Sequence, residues 1–247
     1  SDHPLNSKAI VIQTRINSLS CFLLHFSTTL AETNRMAIAI GIDLGTTNSC
    51  AAIMEASGPR VITTATGATQ VPSIFAVDEH GNQLVGEAAR AQAPNNPDGT
   101  VIAAKRLIGR NFHSKSINET RQVFTYEMVE GANDEVLLNV AEELYTLEEI
   151  SAAILSRIKE VAEANLNTTV SQAVITVPAY FNEKQRSSVR EAGRMAGFEV
   201  LRILNEPTAA ALAYGLGQRL NQRIAVYDLG GGTFDISIID IQGRVFE

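Results

Sequence analysis

The chain has 247 residues, 45% of them hydrophobic and 19% charged, which is typical of a globular protein with one large domain or two lobes. Its formal net charge of -7 argues against a nucleic-acid partner, since the sequence has no basic stripe that could follow the phosphates, and no apolar run is long enough to cross a membrane. We therefore expect neither nucleic acid nor a membrane as a partner. Two isolated cysteines make no disulfide framework, which favours a reducing compartment.

Residues 1–35 form a leader that differs from the rest of the chain. Residues 10–26 are mildly apolar, but Gln13 and Arg15 interrupt them. The Ser and Thr content is compatible with a cleavable targeting peptide. In the simpler interpretation Met36, directly before the first convincing strand, is the natural start. We adopt that interpretation and predict that residues 1–35 stand outside the fold.

The first elements after the leader are strands. Residues 37–44 are an apolar run that ends in Asp-Leu-Gly, and they predict a buried strand followed by a tight turn. Residues 50–54 and 60–63 predict two further strands with a turn at residues 57–59, and such short connections favour an antiparallel meander. Residues from about 73 to 145 are less regular and predict a small insertion subdomain.

The strongest helix signal follows this insertion. Thr146 and Glu149 have the spacing of a capping box, and apolar residues then recur three and four positions apart. Strand and helix signals alternate downstream: a strand at 172–177, a helix opened by Asn182, a strand at 199–204, a helix from Pro207 to Gly215, and strands at 223–228 and 234–241. This alternation predicts an α/β fold.

Two segments, residues 41–49 and 226–235, share a pattern of strand, Asp-Leu-Gly, small residues and second strand. Glycines at a hairpin tip let successive N–H groups converge on an anion, and threonine hydroxyls add donors. The carboxylates of Asp43 and Asp228 would repel a phosphate unless a divalent cation lay between them. Magnesium accepts one or two carboxylates together with phosphate oxygens. The two loops therefore predict two half-domains that clasp a magnesium-bound nucleotide.

Either loop alone is also typical of an ordinary glycine hairpin, and only the pair favours nucleotide binding. No Gly-x-x-x-x-Gly-Lys-Ser/Thr motif occurs, and no Gly-x-Gly-x-x-Gly motif follows a strand. The sequence therefore excludes a P-loop as the source of nucleotide binding.

Five ordered runs of the chain resemble the nucleotide-binding domain of heat-shock protein 70 chaperones of the DnaK type. The runs are residues 40–50, 104–110, 173–186, 203–214 and 225–238. The resemblance covers essentially all of residues 36–247 and implies an actin-like, ribonuclease H-like ATPase fold. It implies lobe I at residues 36–222, including the insertion, and the first hairpin of lobe II at residues 223–247. Asn48 after the double threonine is similar to the bacterial or organellar branch, which implies a cytoplasmic location, or an organellar one if the leader is a targeting peptide.

In the family, the adenosine-binding segment, the rest of lobe II, an interdomain linker and a peptide-binding domain follow the second glycine loop. We therefore expect this chain to be a truncated, amino-terminal part. We also expect the isolated chain to bind ATP weakly or not at all, because a two-stranded piece of a sheet is marginally stable and exposes its edges.

The resemblance also assigns roles to single residues. Asp43 and Asp228 match the carboxylates that hold hydrated magnesium, and Asp228 counts among the catalytic residues. Lys105 matches the lysine that reaches the transferred phosphoryl group and its attacking water. Glu206 matches the carboxylate that orients this water, and Asp235 matches a further acid near the site. The phosphate-binding loops match Gly45, Thr46, Thr47 and Asn48, and Gly230, Gly231, Gly232 and Thr233.

Without the resemblance these residues would be interpreted differently. Lys105 beside Arg106 is more typical of a solvated surface lysine. Glu206 is typical of an acid at the start of a helix, where the helix dipole favours it.

Partners and ligands are implied in the same way. Pro178 and Arg186 match a proline switch and its relay arginine, and Arg202 and Asn205 match positions where J-domain cochaperones dock. A nucleotide exchange factor is expected for the parent protein, whereas unfolded client peptides would bind only through the missing carboxy-terminal domain. The expected ligands are ATP or ADP and Mg²⁺, with K⁺ as a further candidate.

The leading prediction is a slow ATPase that times a chaperone cycle in protein folding and the stress response. An actin-like filament or nucleotide-dependent scaffold, a sugar kinase and an inactive truncated fragment are the alternatives. The Glu-Pro-Thr run at Glu206 and the Lys-Arg-Leu run at Lys105 favour the chaperone over the filament. The sugar kinase would need a sugar pocket and a transfer base that the sequence does not identify.

Overall fold

The computed structural model describes residues 10–14, 37–215, 220–230, 234–243 and 245–246. None of the helices in these residues is both long and apolar enough to cross a membrane. The strands are β1 (Ile10–Thr14), β2 (Ile38–Asp43), β3 (Asn48–Glu55), β4 (Gly58–Val61), β5 (Val71–Pro72), β6 (Ile74–Val77), β7 (Gln83–Val85), β8 (Thr100–Ile102), β9 (Glu127–Glu130), β10 (Val136–Val140), β11 (Glu143–Thr146), β12 (Val170–Val177), β13 (Glu199–Asn205), β14 (Leu220–Leu229), β15 (Phe234–Gly243) and β16 (Val245–Phe246). The helices are α1 (Glu87–Gln92), α2 (Lys115–Thr120), α3 (Leu147–Leu166), α4 (Glu183–Met195) and α5 (Glu206–Gly215), with 3₁₀ turns at Ala104–Arg106 and Ala132–Asp134.

The central sheet has the strand order β13-β12-β2-β3-β4, and the short β5 pairs with β3. Strands β13, β12 and β2 run parallel, whereas β3 and β4 follow β2 as an antiparallel meander. One face of the middle strands is apolar, and its residues Ile40, Ile42, Ala173, Ile175 and Val177 are almost completely buried. Helices α3 and α4 pack against this sheet and each other. The predicted α/β class and the predicted meander are confirmed.

The connection between β3 and β4 is tighter than predicted. The sequence placed a turn at residues 57–59, but Gly58 pairs with Glu55 and Pro59 pairs with Met54. Gly58 has a φ of 118°, a backbone conformation that glycine adopts without steric cost. Strand β4 can therefore begin directly after a two-residue link.

Both long helices of the central layer begin with a capping box. The hydroxyl of Thr146 accepts a hydrogen bond from the N–H of Glu149 at 3.1 Å, and the carboxylate of Glu149 accepts one from the N–H of Thr146 at 2.7 Å. Asn182 and Gln185 exchange the same pair of bonds at the start of α4. These bonds satisfy N–H groups that have no partner inside the helix, so the sequence predictions of both helix starts are confirmed.

Two small three-stranded sheets lie in the stretch that the sequence assigned to an insertion. One has the order β7-β6-β8 and the other β11-β10-β9. Phe75 of the first and Tyr145 of the second pack edge to face, with ring centroids 5.2 Å apart. The chain between β8 and α2, which contains Lys105, is attached to the main core by its own buried residues Ala104, Leu107 and Ile108.

A separate sheet with the order β1-β14-β15-β16 closes the described chain. Helix α5 contacts strands of both this sheet and the central sheet. Ala210 and Ala211 form a small core with Ile224, Val226 and Ile239, together with Ile241. The sheet therefore docks on the main body through α5.

Strand β1 belongs to the leader that the sequence predicted to stand outside the fold. Its five residues instead pair in parallel with β14, from Ile10 opposite Ile224 to Thr14 opposite Asp228. An edge strand offers unpaired N–H and C=O groups to any extended segment, which explains how a short apolar run can add to β14. The other leader residues lie outside the described part of the chain.

The α3 capping box predicts a measurable loss of stability for Thr146→Ala. This substitution removes the hydroxyl that accepts from Glu149, so the free energy of unfolding should fall by about 1 kcal/mol. Urea denaturation followed by circular dichroism measures the change. Thr146→Ser keeps the hydroxyl and should be close to the parent; equal losses for both variants would contradict the role of the cap.

Candidate functional site

The first glycine loop joins β2 to β3 and is shaped by its own backbone. A Cβ atom at Gly45 would lie 2.0 Å from the carbonyl oxygen of Asn48, so only glycine fits there. The N–H of Gly45 donates to the Ser49 hydroxyl at 3.1 Å, and that hydroxyl shares a 2.8 Å hydrogen bond with the hydroxyl of Ser73. The N–H of Ser73 in turn donates to the Thr47 carbonyl at 2.9 Å. The loop is thus held open in a defined shape, with Thr46 half-exposed beside it.

The buried pair of hydroxyls at Ser49 and Ser73 was not predicted from the sequence. Both side chains are almost fully buried. Neither serine belongs to a sequence pattern that indicates a buried polar residue. A polar residue next to the predicted loop was the available signal. The pairing of β3 with β5 brings the two segments together, and only this tertiary contact shows that the two hydroxyls bond each other.

Asp43 is the last residue of β2. Its neighbour on the parallel strand β12 is Thr176, whose hydroxyl donates to the Asp43 carboxylate at 3.0 Å. Burial raises the pKa of Asp43 to about 6, against the attraction of Lys105, and the nearby charges of Glu206 and Asp228 add to the rise. Lys105 and Thr176 therefore offset only part of the cost of burying a negative charge on Asp43.

Lys105 and Glu206 form the buried ion pair of the site. The Nζ atom of Lys105 lies 2.5 Å from Oε1 of Glu206, and the two side chains are only 8% and 11% exposed. Burial lowers the pKa of Lys105, but the attraction of Glu206 and Asp43 outweighs it and leaves the pKa above its ordinary value. Lys105 is therefore a buried cation, and the interpretation as a solvated surface lysine is wrong.

The strands that flank the second glycine loop, β14 and β15, form an antiparallel hairpin. Asp228 and Asp235 stand opposite each other in the antiparallel register, and Gly230 is exposed at the end of β14. Burial and the charge of Glu206 raise the pKa of Asp235, while Lys105 opposes that rise. The predicted phosphate contacts Gly231, Gly232 and Thr233 lie outside the described residues.

A cavity of about 180 Å³ lies between the end of β12, the start of α5 and the β14–β15 hairpin. Its lining consists of Pro178, Ala179, Tyr180, Glu206, Pro207, Val226, Asp228, Asp235, Ile236 and Ser237. Tyr180 is a further residue that the sequence analysis did not single out as part of the site. Desolvation in the cleft raises the pKa of its hydroxyl, and the carboxylates of Asp235 and Glu206 raise it further.

The arrangement gathers four carboxylates around one buried lysine. Asp43, Asp228, Asp235 and Glu206 influence one another or Lys105 electrostatically. Like charges at such sites raise one another's pKa, and a divalent cation relieves that repulsion. Carboxylate oxygens are hard ligands that suit Mg²⁺, so the residues present fit a magnesium ion held by Asp43 and Asp228.

The residues matched to the relay and to cochaperone docking lie next to the cleft. The guanidinium of Arg186 donates to the Asn205 side chain at 2.7 Å and to the Phe181 carbonyl at 3.0 Å. Pro178 follows β12 and lines the cavity, whereas Arg202 is exposed on the edge strand β13. Arg186 and Asn205, matched to different roles, are thus in direct contact.

One other group of possible ligand atoms lies in the described residues, at His113, Glu130 and Asp134, within 4.8 Å of one another. The His113 ring already hydrogen-bonds Glu130 at 3.2 Å, and both side chains are exposed. This group belongs to the insertion and not to the cleft, so it is not counted in the site.

A comparison with protein-family models finds a match to most of this chain. The model is described as Hsp70 protein, and it matches residues 39–247. The matched stretch contains both glycine loops, Lys105 and Glu206.

The raised pKa of Asp43 predicts a pH-dependent gain of stability for Asp43→Asn in the absence of divalent cations. Asp43 binds its proton more tightly in the folded chain than in the unfolded chain. The free energy of unfolding of the parent therefore falls by up to about 3 kcal/mol as the pH rises from about 4 through about 6. The amide of the variant stays neutral, so the advantage of Asp43→Asn should be full above pH 7 and vanish near pH 4, as measured by urea denaturation in a chelator.

Asp78→Asn is the control of opposite sign. Hydrogen bonds from Asn82 lower the pKa of Asp78, so its contribution is present above about pH 4 and is lost as pH falls. Asp78→Asn should therefore cost stability at neutral pH and cost less in acid. An advantage of Asp43→Asn that stays constant from pH 4 to pH 8 would contradict the assignment.

Proposed function

The chain belongs to the Hsp70 family and has its actin-like fold, and from this we propose that it binds ATP between the two glycine loops and hydrolyses it. Domains of this family generally bind nucleotide with Mg²⁺. The buried pair of Lys105 and Glu206 is the observation that carries the proposal, because a lysine kept charged in a dry cleft is otherwise costly.

Phosphoryl transfer depends on positioning and on charge stabilisation more than on covalent chemistry. Lys105 brings a permanent positive charge to the cleft, where low water content makes it more effective than on the surface. Its partner Glu206 has one oxygen held by Nζ, and the other can accept a hydrogen bond from a water molecule. In this proposal Lys105 stabilises the negative charge that develops on the phosphoryl group, and Glu206 orients the attacking water.

Asp43 and Asp228 would hold the magnesium ion through its water shell. When bound, the ion would supply positive charge that offsets the charge of the phosphates. Asp43 must be deprotonated for this role, so its pKa of about 6 favours metal binding at neutral pH over acid. The backbone of the first glycine loop, shaped by Gly45, contributes donors for the phosphates.

We further propose that the hydrolysis serves a chaperone cycle. The hydrogen bond from Arg186 to Asn205 supports this, since it joins the matched relay position to a matched docking position. A J-domain cochaperone would then act on Glu206 through the adjacent Asn205. Arg202, exposed on the same strand, offers the charged side chain for that contact.

The proposed catalysis predicts that Lys105→Ala abolishes most ATP turnover in the complete protein that carries this sequence. Losing one preorganised charge in such a site typically costs about 10²-fold to 10³-fold in kcat. Nucleotide binding should survive, because the glycine loops and the acidic residues remain. Phosphate release under saturating ATP and equilibrium titration with a fluorescent ATP analogue measure the two effects.

Lys115→Ala provides the matched control. Lys115 is 91% exposed and pairs with Glu119 on its own helix, so its removal should leave turnover unchanged. Undiminished hydrolysis by Lys105→Ala would refute the catalytic role and would favour a nucleotide-dependent scaffold.

A further inference from the structure

The turn that contains Lys105 packs directly against the first turn of α4. Backbone hydrogen bonds run from the Ala103 carbonyl through to the N–H of Arg110, so residues 103–110 form one compact unit. Gly109 of this unit has a φ of 65°, and a Cβ atom there would lie 2.7 Å from the Cα atom of Gln185. The two segments are therefore in close backbone contact.

Gln185 joins the two segments with both ends of its amide. Its Oε1 atom accepts from the N–H of Asn182 at 3.2 Å, which completes the capping box of α4. Its Nε2 atom donates to the carbonyl of Ile108 at 3.3 Å. Gln185 is only 4% exposed, and a buried amide is costly unless its donor and acceptor are both used.

The contacts close into a ring around the site. Arg186 follows Gln185 and binds Asn205 at 2.7 Å, Asn205 precedes Glu206, and Glu206 binds Lys105 at 2.5 Å. From Lys105 the turn leads back through Ile108 to Gln185. The two halves of the ion pair are thus each tied to the same end of α4.

We propose that Gln185 is a positioning residue for Lys105, acting through the Ile108 carbonyl to set where the Nζ atom stands relative to Glu206. The inference rests on the proposed ATP hydrolysis by Lys105 and Glu206. The Nζ atom of Lys105 is held by Glu206 and its backbone by this turn, so the position of the turn sets the side-chain conformation in which Nζ reaches Glu206. A misplacement of about 1 Å in such a site costs about 10²-fold in rate.

Gln185→Glu in the complete protein tests this link. Glutamate serves as well as glutamine at this position of a capping box and suits the positive end of a helix dipole, so α4 should keep its start. The variant loses the donor to Ile108 and sets a carboxylate oxygen against that carbonyl. We expect kcat for ATP to fall at least about tenfold and the KM for ATP to stay within about twofold, both measured well below the melting temperature, which the buried carboxylate should lower.

Glu149→Gln is the matched control, since it makes the reverse exchange at the same position of the α3 capping box, where the Glu149 carboxylate bonds Thr146. It should leave kcat unchanged. Gln185→Met is the second variant: it keeps the side-chain length but loses both the donor to Ile108 and the acceptor for Asn182, and it should show the same loss of kcat whether or not Gln185→Glu folds.

Parent-like kcat in Gln185→Glu or Gln185→Met, with a loss in Lys105→Ala, would overturn the positioning role alone. A fall in kcat that Glu149→Gln reproduces would overturn it too, because the effect would then belong to helix capping. Parent-like turnover in Lys105→Ala would instead overturn the proposed function, and the positioning role with it.

Discussion

The buried ion pair between Lys105 and Glu206 is the interaction on which the site depends. Both charges leave water, and this desolvation is tolerated only because each is the other's close partner. One comes from the turn after β8 and the other from the start of α5, so the pair also ties two distant parts of the chain together. Removing either partner would leave an uncompensated charge in the cleft, which is more damaging than removing both.

The parallel strands of the central sheet explain why the site residues meet where they do. Strands β2, β12 and β13 run in the same direction, so Asp43, Thr176 and Asn205 lie together at the carboxyl ends of these strands. The hydrogen bond from Thr176 to Asp43 follows directly from this register. Helix α5 then continues from β13 and carries Glu206 toward the β14–β15 hairpin. Sites at the carboxyl ends of parallel strands are the general rule for such sheets.

The charges of the cleft are unbalanced in a way that suits its proposed ligand. Asp43, Asp228, Asp235 and Glu206 face a single lysine, and the pKa values of Asp43 and Asp235 rise in consequence of burial and of these neighbours. A fold with no ligand to hold would gain stability by replacing such acids with neutral residues. The stability lost by burying these acids is explained if a hydrated cation and a phosphate group bind in the site.

Local sequence determined the elements of this protein, and tertiary contacts decided the chemistry. The capping box at Thr146, the helix start at Asn182, the buried strands and the turn at Gly45 could be predicted because each depends on residues a few positions apart. The burial of Lys105, the Gln185 link to Ile108, the contact of Arg186 with Asn205 and the pairing of β1 with β14 could not. These contacts join residues far apart in the chain, and no local propensity or periodicity reports which distant partner a side chain will meet.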